Sequence, residues 1–165
     1  MNKLILTWED VECQTQEILR QLQRDAWMPD YVVGLTRGGL IPANLISQYL
    51  KVPMECLKVS LRDDTSQPES NLWMAEDAYD GKKILIVDDI NDTGSTLNWI
   101  RQDWQNNCLP NHPNWANVWG NNVKIAVLYD NEASDCELLI NYCAETVNKA
   151  SDPCWIVFPW EDWWK

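Results

Sequence analysis

An apolar run that stops at two adjacent carboxylates is the strongest constraint on how this chain folds. Residues Ile84 to Val87 are uniformly apolar, which is typical of a strand buried on both faces within a parallel sheet. Asp88 and Asp89 follow immediately, and burying an unpaired carboxylate costs several kcal/mol. The two acids must therefore be solvated, hydrogen-bonded or bound to a metal. The sequence predicts a functional site at the carboxyl end of this strand.

The turn after the acid pair is rich in small and hydroxyl-bearing residues, namely Asp92, Thr93, Gly94, Ser95 and Thr96. A helical stripe begins directly afterwards at Leu97. Backbone amides at a helix start, together with the positive end of the helix dipole, can bind a phosphate without any lysine. The competing interpretation is that Asp92 or Thr93 is an ordinary N-cap and that the acid pair lies in an exposed loop.

Strand and helix patterns alternate along the 165 residues. Periodicity predicts helices at about 9–24, 40–50 and 95–105, and strands at about 31–35, 54–61, 83–88 and 123–129. Such alternation is typical of a doubly wound α/β domain, in which ligands bind outside the carboxyl ends of parallel strands. The length suits one domain that buries its own core.

A second turn whose residues can bind an anion follows the predicted strand at 31–35. It reads Thr36, Arg37, Gly38, Gly39. A guanidinium binds a pyrophosphate in a bidentate geometry that lysine cannot match, and adjacent glycines let the backbone approach the anion. Gly-Gly after a strand is also common as a simple tight turn, so this motif gains weight only in combination with the first.

The two motifs together resemble those of the type I phosphoribosyltransferases. An apolar strand, Asp-Asp, three further positions and Thr-Gly-x-Thr match the phosphoribosyl-pyrophosphate signature of that family without gaps. The loop Arg-Gly-Gly-Leu with Pro42 resembles the pyrophosphate loop of the xanthine-guanine enzymes. The resemblance implies an open, mainly parallel twisted sheet flanked by helices, with a small C-terminal hood. It implies a single domain over 1–165, with a core at about 25–130 and a hood at about 131–165 to which the N-terminus contributes.

The resemblance also implies roles for individual residues. In the family, the acids matching Asp88 and Asp89 hold the ribose hydroxyls and Mg²⁺, and the turn matching 93–96 holds the 5-phosphate. Arg37, with Gly38 and Gly39, would bind the pyrophosphate. The position of Asp92 assists proton movement at the base.

A third motif lies near the carboxyl end. Trp155 and Ile156 begin a Trp-Ile-x-x-Pro-Trp segment that is similar to the base-covering hood of the 6-oxopurine phosphoribosyltransferases. The similarity implies that Trp155 stacks on the base and that backbone groups at Ile156 read its edge. An apolar terminal strand without a ligand role is the alternative.

One departure from the family pattern concerns the base. Many 6-oxopurine enzymes have a lysine after the strand that follows the signature helix, where it donates to the purine O6, but here that strand leads into Asp130. An acid would repel O6. Either Asn131, a backbone N–H, Lys124 or Lys149 donates instead, or the base is not a standard 6-oxopurine.

Two polar segments interrupt the alternation of strands and helices. Residues 62–80 are long for a loop in a compact domain, which predicts either a mobile lid, as in the family, or a disordered loop. Residues 106–122 contain seven Asn, two Pro and two Trp. We expect this second segment to serve packing or an oligomer contact.

Charge and cysteine content exclude several functional classes. The formal net charge of −12 argues against a nucleic-acid or anionic-membrane surface. The six cysteines form no CxxC pair, and the amino end has no apolar run of signal-peptide length, so we expect reduced thiols and a cytoplasmic protein.

The function that the resemblance implies is transfer of the phosphoribosyl group from phosphoribosyl pyrophosphate to guanine, xanthine or hypoxanthine, with Mg²⁺ as the cofactor. By the same resemblance a homo-oligomer, dimeric or tetrameric, is expected. The alternatives are transfer to adenine or a pyrimidine, and a non-catalytic regulator that senses phosphoribosyl pyrophosphate.

Overall fold

The structure is a computed structural model that describes residues 1–59 and 68–165. Within those residues it contains seven strands and four α-helices. In chain order these are β1 Asn2–Ile5, α1 Trp8–Asp25, β2 Tyr31–Thr36, α2 Leu40–Leu50, β3 Met54–Lys58, α3 Leu72–Tyr79, β4 Ile84–Asn91, α4 Ser95–Asn107, β5 Val123–Asn131, β6 Tyr142–Val147 and β7 Cys154–Val157. A short 3₁₀ helix, Pro113–Asn117, precedes β5.

Five of the strands form one parallel sheet in the order β3-β2-β4-β5-β6. The predicted α/β fold with an open parallel sheet is confirmed. From β2 the chain proceeds outward to β3, and from β4 it proceeds in the opposite direction to β5 and β6, so the order reverses between β2 and β4. The carboxyl ends of these two strands are where such a sheet binds its ligands.

The central strand β4 is buried from both sides, as its apolar run predicts. Ile84 and Ile86 face the core that α3 and α4 cover, and Leu85 and Val87 face the core that α1 and α2 cover. All four side chains are fully buried. The apolar run ends at Val87, and the two acids that follow it are half-buried near the carboxyl end of the strand.

The prediction of a loop over 62–80 is wrong for the second half of that segment. Residues Leu72–Tyr79 form helix α3, whose Met74, Ala75 and Ala78 are fully buried against the sheet. Asn71 caps this helix by accepting a hydrogen bond from the Met74 amide at 3.1 Å. A helix packed into the core cannot also be a lid. The first part of the expected lid, through residue 67, lies outside the described residues.

The docking of α3 gives a stability prediction. The Tyr31 hydroxyl donates to Asp77 Oδ2 at 2.9 Å, and burial, then the Asp77 carboxylate, raise the pKa of Tyr31 so that it stays a donor. We expect Tyr31→Phe to lower the free energy of unfolding by about 1.5–3 kcal/mol, because the acceptor is charged. Tyr49→Phe, at a tyrosine that is 56% exposed, should change it by less than about 0.5 kcal/mol. Urea denaturation of both variants measures the difference, and equal values would contradict it.

The segment 106–122 packs against the core. Trp115 and Val118 are buried, and the Trp119 ring stacks on Trp104 of α4 with centroids 5.6 Å apart. The packing role expected for this segment is confirmed. No helix within 1–59 or 68–165 has both the length and the apolar character needed to cross a bilayer.

A second, two-stranded sheet joins the two ends of the chain. Strand β1 pairs in parallel with β7, and Lys3 lies opposite Trp155 in the register. After β7, Phe158 and Trp160 stack with centroids 4.8 Å apart and planes 4° apart. Tyr129 of β5 contacts the Phe158 ring edge-on. The small sheet is thus attached to the large one next to the carboxyl end of β5.

Candidate active site

The acid pair lies inside β4 and not in a loop. The strand continues to Asn91, three residues beyond the predicted end at 88. The Asp89 amide donates to Asp88 Oδ1 at 2.9 Å, and the Ile90 amide donates to Asp89 Oδ1 at 2.7 Å. Both acids are half-buried. The exposed-loop interpretation of this pair is therefore wrong, because local hydrogen bonds fix both carboxylates at the rim of the sheet.

The two predicted motifs meet at Gly38. A Cβ atom on Gly38 would overlap the carboxylate of Asp89. A side chain at this position would therefore push the acid out of place, which explains the glycine. The preceding peptide, between Thr36 and Arg37, is cis, and Arg37 itself is exposed at the mouth of the site.

The two motifs line one cavity of about 310 Å³. Its walls come from the end of β2 with its loop and from the end of β4 with its turn. The lining residues are Leu35, Thr36, Arg37, Gly38, Asp88, Asp89, Ile90, Asn91, Asp92, Thr93, Gly94, Ser95, Thr96 and Leu97. Of the predicted site residues, Gly39, Trp155 and Ile156 lie outside this set. We call the space the sugar-phosphate cavity, after the role that the sequence predicts for it.

Helix α4 begins in a way that leaves its start open to a ligand. Its N-cap is Gly94, with a φ of 89° and no side-chain cap, so the interpretation of Asp92 or Thr93 as an ordinary N-cap is wrong. A Cβ on Gly94 would overlap the backbone of Cys136. The Thr93 hydroxyl accepts a hydrogen bond from the Ser95 amide at 3.2 Å and donates to Ser95 Oγ at 2.9 Å. Hydroxyls and amides thus converge at the positive end of the helix dipole, as anion binding requires.

A second, smaller cleft adjoins the first and shares three residues with it, Asp89, Ile90 and Asp92. Its remaining walls are Lys149, Trp155, Ile156, Phe158 and Glu161. We call it the base cleft, after the role that the sequence predicts for Trp155. Its volume is only about 10 Å³, so a planar ring enters only if the side chains around it move. Trp155 is 43% exposed and can adjust at low cost.

Asp92 forms an ion pair in this cleft that sequence reasoning did not find. Lys149 Nζ lies 3.0 Å from Asp92 Oδ1 and 5.6 Å from the centroid of the Trp155 ring. The side chains of Lys149 and Asp92 are only 18% and 21% exposed. Lys149 was one of several candidate donors, but no local pattern distinguished it, because it lies in the polar loop between β6 and β7.

The buried amide of Asn131 connects this loop to the signature turn. Its Nδ2 donates to the Asp92 carbonyl at 2.8 Å, and its Oδ1 accepts from the Lys149 amide at 3.0 Å. Asn131 is only 6% exposed. Replacing it would leave buried backbone groups without partners, so it holds the turn and the loop in one arrangement.

Asp130, the residue that departs from the family pattern, points to a neighbouring strand. Its Oδ1 accepts from Asn91 Nδ2 at 2.9 Å, and Asp130 does not line the base cleft. In residues 1–59 and 68–165, no group of three or more His, Cys, Asp or Glu side chains is placed to hold a metal ion. All six cysteines are free.

Comparisons with known proteins agree with this geometry. The family model for the phosphoribosyl transferase domain matches residues 2–161. The chain is 28% identical over 163 residues to a xanthine-guanine phosphoribosyltransferase from Idiomarina loihiensis, covering 96% of this chain and 87% of that protein. It is 26% identical over 167 residues to a hypoxanthine-guanine phosphoribosyltransferase from Schizosaccharomyces pombe, covering 83% and 79% of the two chains. The crystal structure of a purine phosphoribosyltransferase from Pyrococcus horikoshii superposes with a TM-score of 0.67 at 27% identity, covering 98% of this chain and 96% of that one.

Proposed function

Because the chain belongs to the phosphoribosyl transferase domain family, we propose that it transfers the 5-phosphoribosyl group of phosphoribosyl pyrophosphate to a purine base and releases pyrophosphate. The proposed bases are guanine, xanthine and hypoxanthine, and the proposed context is nucleotide salvage. The names of the relatives support this choice. One observation carries the proposal: the sugar-phosphate cavity and the base cleft share Asp89, Ile90 and Asp92, which is where a sugar carbon and a base must meet.

The sugar-phosphate cavity accounts for the first substrate. We assign the 5-phosphate to the open helix start at 93–96, the ribose hydroxyls to Asp88 and Asp89, and the pyrophosphate to Arg37 with the backbone of Gly38. The Gly39 amide donates to the Leu35 carbonyl at 2.8 Å, so Gly39 shapes the turn. The reaction breaks the bond between C1 of the ribose and the pyrophosphate oxygen and forms one between C1 and a ring nitrogen. Charge develops on the leaving oxygen, where Arg37 stabilises it more in the transition state than in the ground state.

The donor set at the acid pair fits Mg²⁺. This ion prefers oxygen ligands and is usually held by one or two carboxylates together with substrate phosphates, and Asp88 and Asp89 supply two adjacent carboxylates. Bound there, Mg²⁺ would neutralise the anionic substrate next to these acids. The two acids would hold the ion with carboxylates that neighbouring backbone amides already fix.

The base cleft accounts for the second substrate. In this proposal a planar base stacks on the Trp155 ring, and backbone groups at Ile156 read its edge. Asp92, which lines both spaces, accepts a proton from the ring as the new bond forms. We propose a hood that consists of β7, its neighbouring loops and the paired β1. Because β6 lies in the large sheet, this hood begins after Val147.

The test is an assay of pyrophosphate release. The protein is mixed with phosphoribosyl pyrophosphate, Mg²⁺ and one base at a time from a panel of guanine, xanthine, hypoxanthine, adenine, uracil and orotate. We expect release with at least one of the first three. A preference for adenine or a pyrimidine would contradict the proposed base class. No release with any base, together with tight binding of phosphoribosyl pyrophosphate, would favour the sensing regulator.

The stacking role of Trp155 gives a separate prediction. Trp155→Ala should weaken base binding by about 1–3 kcal/mol, the scale of base–aromatic stacking, and should leave the affinity for phosphoribosyl pyrophosphate nearly unchanged. The KM values for both substrates measure this. Trp163→Ala is the matched control, because Trp163 is 72% exposed and lines neither space. Equal KM changes for base and sugar pyrophosphate would contradict the assignment.

A further inference from the structure

The base cleft has a charge pattern that selects its ligand. Three of its lining residues carry carboxylates, Asp89, Asp92 and Glu161, and one carries an ammonium, Lys149. Carboxylates accept hydrogen bonds from ring N–H and amino groups, but they repel an exocyclic oxygen. Among the cleft-lining side chains in the described part of the chain, Lys149 alone can donate a charge-assisted hydrogen bond to such an oxygen.

The position of Lys149 suits this task. Its ammonium lies between Asp92, 3.0 Å away, and the Trp155 ring, whose centroid is 5.6 Å away. A base that stacks on Trp155 and approaches Asp92 must therefore come within reach of the ammonium. The Lys149 backbone is fixed by Asn131, whereas the four-carbon side chain can turn as a ring enters the cleft.

The other side chains considered as donors form contacts outside the base cleft. Lys124 pairs with Asp25 at 2.6 Å and lies six residues before Asp130 on β5. At about 3.3 Å per residue it is roughly 20 Å from the carboxyl end of that strand. The Asn131 amide group donates to the Asp92 carbonyl, and Asp130 accepts from Asn91.

We propose that Lys149 determines base specificity by donating a hydrogen bond to the exocyclic oxygen at the purine 6-position. This inference rests on the proposed function and adds a residue to it. The donor comes from the loop between β6 and β7, instead of from the end of the strand after the signature helix. The 6-amino group of adenine would direct its own N–H groups at the ammonium, and the unpaired charge would penalise that base.

Lys149→Met tests the inference, because it keeps most of the side-chain volume and removes the donor. We expect kcat/KM for the preferred 6-oxopurine to fall about 10- to 100-fold, the scale of a hydrogen bond from a charged donor. The value for adenine should stay the same or rise, and the KM for phosphoribosyl pyrophosphate should change less than twofold. Lys149→Arg should recover part of the loss. Lys124→Met is the matched control, since Lys124 also pairs with an acid and lies over an aromatic ring.

Three outcomes would overturn the inference, and they are distinguishable. Equal losses with every base, seen in kcat alone, would show that Lys149 acts only by positioning Asp92. Unchanged discrimination between oxo- and aminopurines would show that it does not contact the base edge. Inactivity of the unmodified protein with all bases would reject the proposed function itself. Calorimetry with GMP and AMP adds a readout without turnover: Lys149→Met should weaken GMP binding and leave AMP binding unchanged.

Discussion

Turnover should fall by at least about a thousandfold when divalent cations are removed, because a bound metal supplies several kcal/mol of charge stabilisation and each 1.4 kcal/mol is tenfold in rate. Asp88 and Asp89 sit at the rim of β4, where a highly anionic substrate must approach them. Two fixed carboxylates repel that substrate unless a cation intervenes. The measurement is pyrophosphate release with excess chelator, followed by titration with Mg²⁺.

The control for this prediction measures whether the chelator changes the stability of the fold. Thermal denaturation should give the same Tm with and without chelator, because the carboxylates are already held by neighbouring amides. Asp88→Asn should raise the Mg²⁺ concentration needed for half-maximal rate. Full activity in excess chelator would reject the role given to Asp88 and Asp89.

Asp92→Asn should lower kcat by about 10- to 1,000-fold, since general acid–base assistance contributes about 10² to 10⁴. The substitution is nearly isosteric, so the Asn131 hydrogen bond to the residue 92 carbonyl stays in place. The affinity for phosphoribosyl pyrophosphate should change little. Steady-state kinetics, with isothermal titration of phosphoribosyl pyrophosphate, separates the two effects.

Asp152→Asn provides the matched control, because Asp152 is an exposed acid in the same β6–β7 loop as the partner of Asp92. Its kcat should equal that of the unmodified protein. If Asp92→Asn instead loses stability through the broken ion pair with Lys149 and its rate is unchanged, the residue has a structural role only.

The architecture could be predicted from the sequence because the local pattern of apolar residues agrees with the burial of the same residues in the fold. The strand at 84–87 is apolar on both faces and is buried from both sides, and the Arg37 loop and the acid-rich turn both follow strands on either side of the point where strand order reverses. Their proximity could therefore be predicted without coordinates. The roles of the site residues, homo-oligomerisation and a cytoplasmic location stay predictions.

The errors have physical causes. Strand β4 extends to Asn91 because Ile90 and Asn91 pair with Tyr129 and Asp130 of β5, whereas the two acids made the strand appear to end. Helix α3 is short, and two of its three buried residues are alanines, which give a weak periodic signal beside a polar segment.

The ion pair of Asp92 and Lys149 was missed because it depends on long-range folding. The two residues are 57 positions apart in the sequence. The loop that carries Lys149 has the composition of an ordinary turn. In the folded protein, the Asn131 side chain bonds the backbone of both residues and so holds them close together.

Because β1 pairs with β7, Trp155 lies in a different sheet from the strands that carry the residues assigned to phosphoribosyl pyrophosphate. The groups assigned to the sugar pyrophosphate lie at the ends of β2 and β4 and in the turns that follow these strands of the five-stranded sheet, whereas Trp155 lies in a separate two-stranded sheet opposite Lys3. If these assignments hold, we expect mutations in β7, in its flanking loops or in the first residues of the chain to alter which base is accepted more than they alter binding of the donor substrate. Base preference would then diverge between relatives faster than the reaction itself.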